Sequence, residues 1–237
     1  MIPLHDDNPT RLWPVVTIGL IVLCTLAFLW QLSFDKLGFQ RIVFSLGLIP
    51  AVLVHKAVLP AALAVVPPEL TVYTSMFLHG GWMHLIGNML YLWIFGNNVE
   101  DAMGHGRFVF FYLACGTAAA MMQTLMDPAS TVPMIGASGA ISGVLGAYLL
   151  LFPHARVLVL IPLGFLFYTL RLAAGWVLGF WFVMQLFSSL LSDTAHGGVA
   201  FFAHIGGFIA GMALIPLFKR RQVRLLQPPR FSRRYWR

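Results

Sequence analysis

Six apolar stretches, separated by polar or turn-forming segments, organise the 237 residues of the chain. Five of them are Pro14 to Leu32, Trp82 to Val99, Phe108 to Met126, Leu172 to Leu191 and Ala200 to Phe218. Each approaches the roughly 20 residues that a helix needs to cross about 30 Å of hydrocarbon. The sixth, Ala137 to Phe152, reaches only about 24 Å at ~1.5 Å per residue, so one of its ends is expected to stop below the membrane surface. Pro14 to Leu32 is too long for the core of a cleavable leader and has no small-residue cleavage site after it, so it is expected to persist as a helix. The piece from Ser33 to Gly81 contains LGLIPAVLVHKAVLPAALAVV, interrupted by Pro50, Lys56 and Pro60. Prolines and a charge disfavour a straight crossing. A large outer loop with short interfacial helices is therefore expected between helices 1 and 2, a seventh crossing over 46–66 being the alternative. Val157 to Leu170 is short, holds Pro162 and Gly164 and ends at Arg171, which predicts a segment at the inner surface. No repeat relates the two halves, which argues against a transporter built by duplication.

Composition agrees with this pattern: 59% of the residues are hydrophobic and 10% charged, which excludes an ordinary soluble domain. The expected fold class is an all-α integral membrane protein of six helices. Of fifteen Lys and Arg residues, eight follow Phe218: Lys219, Arg220, Arg221, Arg224, Arg230, Arg233, Arg234 and Arg237. Positive charge is retained on the cytoplasmic side, so the tail is expected there. Six crossings return the N-terminus to the same side, and Arg11, Arg107, Arg156 and Arg171 then fall inside too. The expected organisation is a cytoplasmic segment over 1–13, a membrane domain over 14–218 and a basic cytoplasmic tail over 219–237, in a bacterial inner membrane. Phe231, Tyr235 and Trp236 interleave the basic residues just after a span. This favours anionic lipid headgroups over nucleic acid as the tail's partner. Cys24 and Cys115 lie inside spans and are read as small apolar residues.

Polar side chains inside spans are costly and mark function. They are His84 and Asn88 in span 2, Ser138 and Ser142 in span 4, Gln185 in span 5 and His204 in span 6. Spans 2, 4 and 6 all run from outside to inside, and His84, Ser138 and His204 each stand near the start of theirs, so the three share one depth under the outer surface. Span 4 carries glycines at 136, 139, 143 and 146, and span 6 carries Ala200, His204, Gly207 and Gly211. Steps of three and four keep each set on one helical face, and small faces let membrane helices approach closely. If these faces meet, Ser138 comes near His204, the minimum pairing of nucleophile and general base. The first turn of span 4 offers free backbone N–H groups, and His84 and Asn88, four apart, offer side-chain donors; together they form a candidate oxyanion hole. Taken singly, Ser138 in a glycine stripe reads as packing, and His204 or Asn88 as interhelical glue. Packing alone does not explain why hydroxyl, imidazole and donors share a depth. His55, His79 and His196 are read as loop or interface residues, and His79 with His84 lacks the Cys or Glu partners of a zinc set.

GASG at 136–139, HLIGN at 84–88 and AHIGGFIAG at 203–211 resemble, in order and spacing, the signature motifs of the rhomboid family of intramembrane serine proteases, and GNNVED at 96–101 is similar to the family's turn after its second helix. The resemblance implies a six-helix rhomboid-like bundle. In it Ser138 is nucleophile, His204 is base, and His84, Asn88 and the Ser138 backbone N–H hold the oxyanion. Gly136, Gly139, Gly207 and Gly211 support the motifs. The resemblance also implies cleavage of single-pass transmembrane substrates near the outer face, with neither metal nor nucleotide as cofactor. One departure is Ser142, where many family members carry a Tyr that supports the histidine; Phe or Trp packing from span 5 is the expected replacement. Two other function classes stay open. A catalytically silent relative that binds transmembrane clients usually lacks Ser or His, and a small polar-pathway transporter would spread polar residues over several depths.

Overall fold

The computed structural model describes residues 1–164, 166–191 and 200–228. All six apolar stretches contain helix. Val15–Leu32 forms α1. The piece that follows carries α2 (Lys36–Leu46), two single turns, α3 (Pro50–Leu53) and α4 (Thr71–Thr74), and two 3-10 turns. No crossing helix runs through 46–66, because Pro50 can only begin a helix and the chain breaks into turns after Leu53. Helix α5 (Trp82–Tyr91) passes through a π-helical turn, Leu92–Gly96, into α6 (Asn97–Met103). Gly104, with φ +86°, ends that rod and opens α7 (His105–Met126). Then follow α8 (Ser138–Leu151), α9 (Ala174–Leu191) and α10 (Phe201–Phe218). Among the described residues α1, α7 and α10 are by length and apolarity sufficient to cross a membrane; α8 is a shorter apolar helix, as is the Ala174–Ser189 part of α9.

The bundle is built around α8. Its residues from Ala140 to Tyr148 are all buried, because α7 covers one side and α10 the other. A methyl group on Gly207 would overlap the Gly139 carbonyl oxygen, one on Gly211 the Gly143 carbonyl, and one on Gly146 the Phe208 carbonyl. The two glycine stripes therefore meet backbone to backbone. Cys24 and Cys115 are free thiols with no exposure, consistent with their reading as small apolar core residues.

The pattern did not predict a three-stranded antiparallel sheet in the order β1-β2-β3, formed by β1 (Ile2–Asp6), β2 (Arg156–Leu163) and β3 (Leu166–Ala173). The segment expected to lie at the inner surface is thus a hairpin. Val157 and Val159 are buried between less buried neighbours, a period of two. That period is invisible in an apolar run whose outward positions are also Leu and Ile, since such a run does not distinguish strand from helix.

The sheet lies at the end of the molecule where the N-terminal segment and the residues just after α10 gather. Asp6 on β1 accepts hydrogen bonds from Tyr148 Oη on α8, at 2.6 Å, and from Asn98 Nδ2 on α6, at 3.0 Å. Arg171 pairs with Asp7 at 2.7 Å. The Glu100 carboxylate accepts from the Val16 and Thr17 N–H groups and the Thr17 hydroxyl, capping α1 with negative charge where the helix dipole favours it. After α10 the chain folds back: Arg220 N–H donates to Ala102 O, and Leu226 and Gln227 N–H donate to Leu150 and Leu151 O. The start of the basic tail is therefore held against the helix ends at Arg220, Leu226 and Gln227, with Arg221 and Arg224 exposed between them. Arg230, Arg233, Arg234, Arg237, the three tail aromatics and His196 lie outside the described residues.

Candidate functional site

At the opposite end, α5, α8 and α10 begin side by side. The Gly136 N–H donates to Ser75 O at 2.9 Å, and Gly136 has φ +126°, a conformation that L side chains rarely adopt. A methyl group there would also strike His84 Nε2. The turn 136–137 thus delivers Ser138 as the first residue of α8, with no side chain capping the helix. Its hydroxyl lies 2.8 Å from His204 Nε2, on the first turn of α10. Gly139, the neighbour of Ser138, packs against Ala119 of α7 and sits near Ala203 of α10, and this close approach lets a short Ser side chain reach the imidazole.

The second ring nitrogen has its own partner. His204 Nδ1 is 2.8 Å from Gln185 Oε1 on α9. An amide oxygen only accepts, so Nδ1 carries the proton and the Nε2 lone pair faces the Ser138 hydroxyl. Trp181, one turn before Gln185, lies with its ring centroid 5.9 Å from that of His204, and Phe201 approaches edge-on at 6.5 Å. Ser142 is not the hydrogen-bond partner of either ring nitrogen. Its hydroxyl donates to Ser138 O at 2.7 Å within α8. Aromatic packing from α9 was expected; the hydrogen bond that His204 donates to Gln185 was not. Its one signal in the sequence is a lone amide in an otherwise apolar span.

His84 and Asn88 face the same space, one turn apart on α5. Gly80 N–H donates to His84 Nδ1 at 3.3 Å, which leaves the proton of a neutral ring on Nε2, the nitrogen beside Gly136. Asn88 is 8% exposed, and its Nδ2 is buried without a hydrogen-bond partner. His79, read as a loop or interface residue, is buried, with its ring 5.1 Å from that of His84 and Nδ1 3.3 Å from Phe77 O. Burial, assisted by the nearby His84, pushes His79 down to about 4, so it is neutral at physiological pH. Ser138, His204, His84, Asn88 and Gly136 line one cavity of about 820 Å³. The exposed side chains of Met83 and Val132 are part of its wall, so it reaches the surface.

A family model described as Rhomboid domain matches residues 67–221. Over 142 residues the chain is 37% identical to Rhomboid protease GluP of Bacillus subtilis, an alignment covering 60% of this chain and 25% of that protein. It is 35% identical over 100 residues to Rhomboid protein 1, mitochondrial, of Saccharomyces cerevisiae, covering 40% of this chain and 29% of that one. It is 28% identical over 212 residues to the Bacillus subtilis protein YdcA, covering 89% and 94%. The chain thus spans between a quarter and about half of the length of several curated relatives it matches and nearly all of YdcA.

Proposed function

Because the chain belongs to the rhomboid family, whose domain covers residues 67–221, we propose that it is an intramembrane serine endopeptidase. Ser138 is the nucleophile, and His204 is the general base. The Ser138 hydroxyl attacks the scissile carbonyl while His204 Nε2 takes its proton. The charge that develops on the carbonyl oxygen is met by the Ser138 backbone N–H, Asn88 Nδ2 and His84 Nε2–H. The imidazolium returns its proton to the leaving amine, and water admitted through the cavity then hydrolyses the acyl-enzyme. The observation that carries this reading is the 2.8 Å hydrogen bond between Ser138 and His204, two groups that apolar helices have no packing reason to pair.

The substrates we propose are single-pass transmembrane proteins, cut near the outer face. Six helical crossings, including α5 with its continuation into α6, the short α8, and α9, make up a membrane domain over 14–218. The piece between α1 and α5 is its outer loop. This reading is supported by the separation of the two ends. Ser138 and His204 start their helices at one end, while Arg11, Arg107, Arg156, Arg171 and the first basic residues of the tail gather at the other. A bacterial inner membrane with both termini cytoplasmic, and contact of the 219–237 tail with anionic lipid, complete the proposal.

Labelling by a serine-directed phosphonate in detergent-solubilised protein, together with cleavage of a transmembrane substrate, tests the dyad. Ser138→Ala and His204→Ala are each expected to lose both activities almost completely. The double variant is expected to be little worse than either, since residues acting as one unit are non-additive. Ser142→Ala is expected to keep most of its activity. A folded His204→Ala protein that labels and cleaves at near wild-type rate would refute the dyad.

A further inference from the structure

We propose that Gln185 is a positioning residue for His204, making the catalytic unit a neutral three-member chain, Ser138–His204–Gln185, rather than a bare dyad. The inference rests on the reading of Ser138 and His204 as nucleophile and base.

A primary amide in the middle of an apolar helix requires a reason. The neighbours of Gln185 along α9, Val183, Met184, Leu186 and Phe187, are exposed apolar side chains, whereas the Gln185 amide oxygen lies 2.8 Å from His204 Nδ1. That contact selects between two forms of the ring. A neutral imidazole protonated on Nε2 is useless as a base toward Ser138; one protonated on Nδ1 presents its lone pair to the hydroxyl 2.8 Å away. With its amide oxygen turned to Nδ1, as here, Gln185 can only accept from that nitrogen, so this orientation stabilises the competent tautomer. When Nε2 takes the serine proton, the Nδ1–H···O bond becomes charge-assisted and strengthens, so it favours the transition state over the resting state.

The amide also suits the medium. A carboxylate in this place would be a buried charge among apolar helices, costly unless paired, and among the described residues no cation lies against it. Trp181 and Gln185 are four apart, hence on one face of α9, and both meet the His204 ring. Helix α9 therefore supplies a ring contact and a hydrogen-bond acceptor. One turn after Ser138, α8 carries Ser142, whose hydroxyl is bonded to its own helix. Among the described residues, the titratable groups that share the cavity wall with His204 are His84 on α5 and Asp127, just after α7; the Ser138 hydroxyl is its hydrogen-bond partner.

The test uses the purified full chain, comparing wild type, Ser138→Ala, Gln185→Leu and Gln185→Glu by phosphonate labelling rate, by kcat and KM on a transmembrane substrate between pH 5 and 9, and by thermal midpoint. Gln185→Leu is expected to lose about tenfold or more in kcat and in labelling, part of the general-base contribution, with KM changed less than about twofold and an unchanged midpoint. Gln185→Glu keeps an acceptor and adds negative charge beside the imidazole. It is expected to recover activity at high pH and to move the acidic limb of the rate profile upward by about one unit or more. A structural role alone would leave that limb where it is. Gln185→Leu working within twofold of wild type at every pH would overturn the proposal. If Gln185→Leu fails to fold, an unmoved limb in Gln185→Glu overturns it instead. Should Ser138→Ala still be labelled, the underlying dyad reading fails. Should Ser138→Ala lose labelling while both Gln185 variants behave as wild type, only the role of Gln185 fails.

Discussion

Asn88 has an amide nitrogen buried among apolar helices with nothing to donate to. An unpaired buried donor typically costs about 1–3 kcal/mol, and the fold retains it beside Gly136 and His84. In the proposed reaction this cost is useful: the donor is unpaired in the resting site and paired when the oxyanion forms, which is the differential that lowers a barrier. Asn88→Ala is therefore expected to reduce kcat by about 10²–10³-fold, the usual effect of removing one such donor. The variant should remain folded, since Nδ2 makes no hydrogen bond in the resting protein. Unchanged turnover at wild-type expression would make Asn88 a packing residue. His84 and the Ser138 N–H remain as donors in that variant, so the lower end of the range is the sharper expectation.

Among the elements, β1 attaches most unusually. It pairs with β2 and places Asp6, 4% exposed, against Tyr148 and Asn98. Burial raises the Asp6 carboxyl from an ordinary 3.8 to about 7, against the lowering effect of its hydrogen bond from Tyr148. The folded protein thus keeps a proton that the unfolded chain has already released between those values. The resulting stability is complete below about pH 4, declines as pH rises and is lost once pH passes about 7. Asp6→Asn retains an acceptor for Tyr148 and does not titrate. Between pH 5 and pH 8 the thermal midpoint of wild type is expected to fall more than that of Asp6→Asn. Parallel curves would show that Asp6 is ionised throughout. His79 works with the opposite sign, since its lowered value makes stability present above about 6.5 and lost as pH falls through about 4; being common to both proteins, it cancels in the comparison.

At the scale of the molecule, the two ends differ in chemistry. One holds the Ser138–His204 pair and its cavity, and the other holds the sheet, the Glu100 cap on α1 and the folded-back start of the basic tail. Basic residues resist translocation, so the proposed orientation puts this second end in the cytoplasm. A reporter fused after Arg237 is expected to be active only in its cytoplasmic form, and a topology reporter that works outside would invert the site's proposed side.

The helices and the site pair were legible in the sequence for a simple reason. Long apolar runs have few structural options in lipid, and a polar group among them stands out against that background. His84, Asn88, Ser138 and His204 were found by their cost, and the glycine steps of three and four showed which faces of α8 and α10 could meet. The structure supplied what depends on contacts between distant segments. The hairpin Arg156–Ala173 was hidden because apolar residues occupy both of its faces, so the period of a strand left no trace. The buried positions of Asp6 and His79 follow from partners 142 and 48 residues away, Tyr148 and Gln31, whose arrival no local pattern announces. Gln185 was visible as one polar residue in an apolar helix, yet its use was not, because what a side-chain amide does is set by the atom it faces. Only the packing of α9 against α10 decided that this atom is His204 Nδ1.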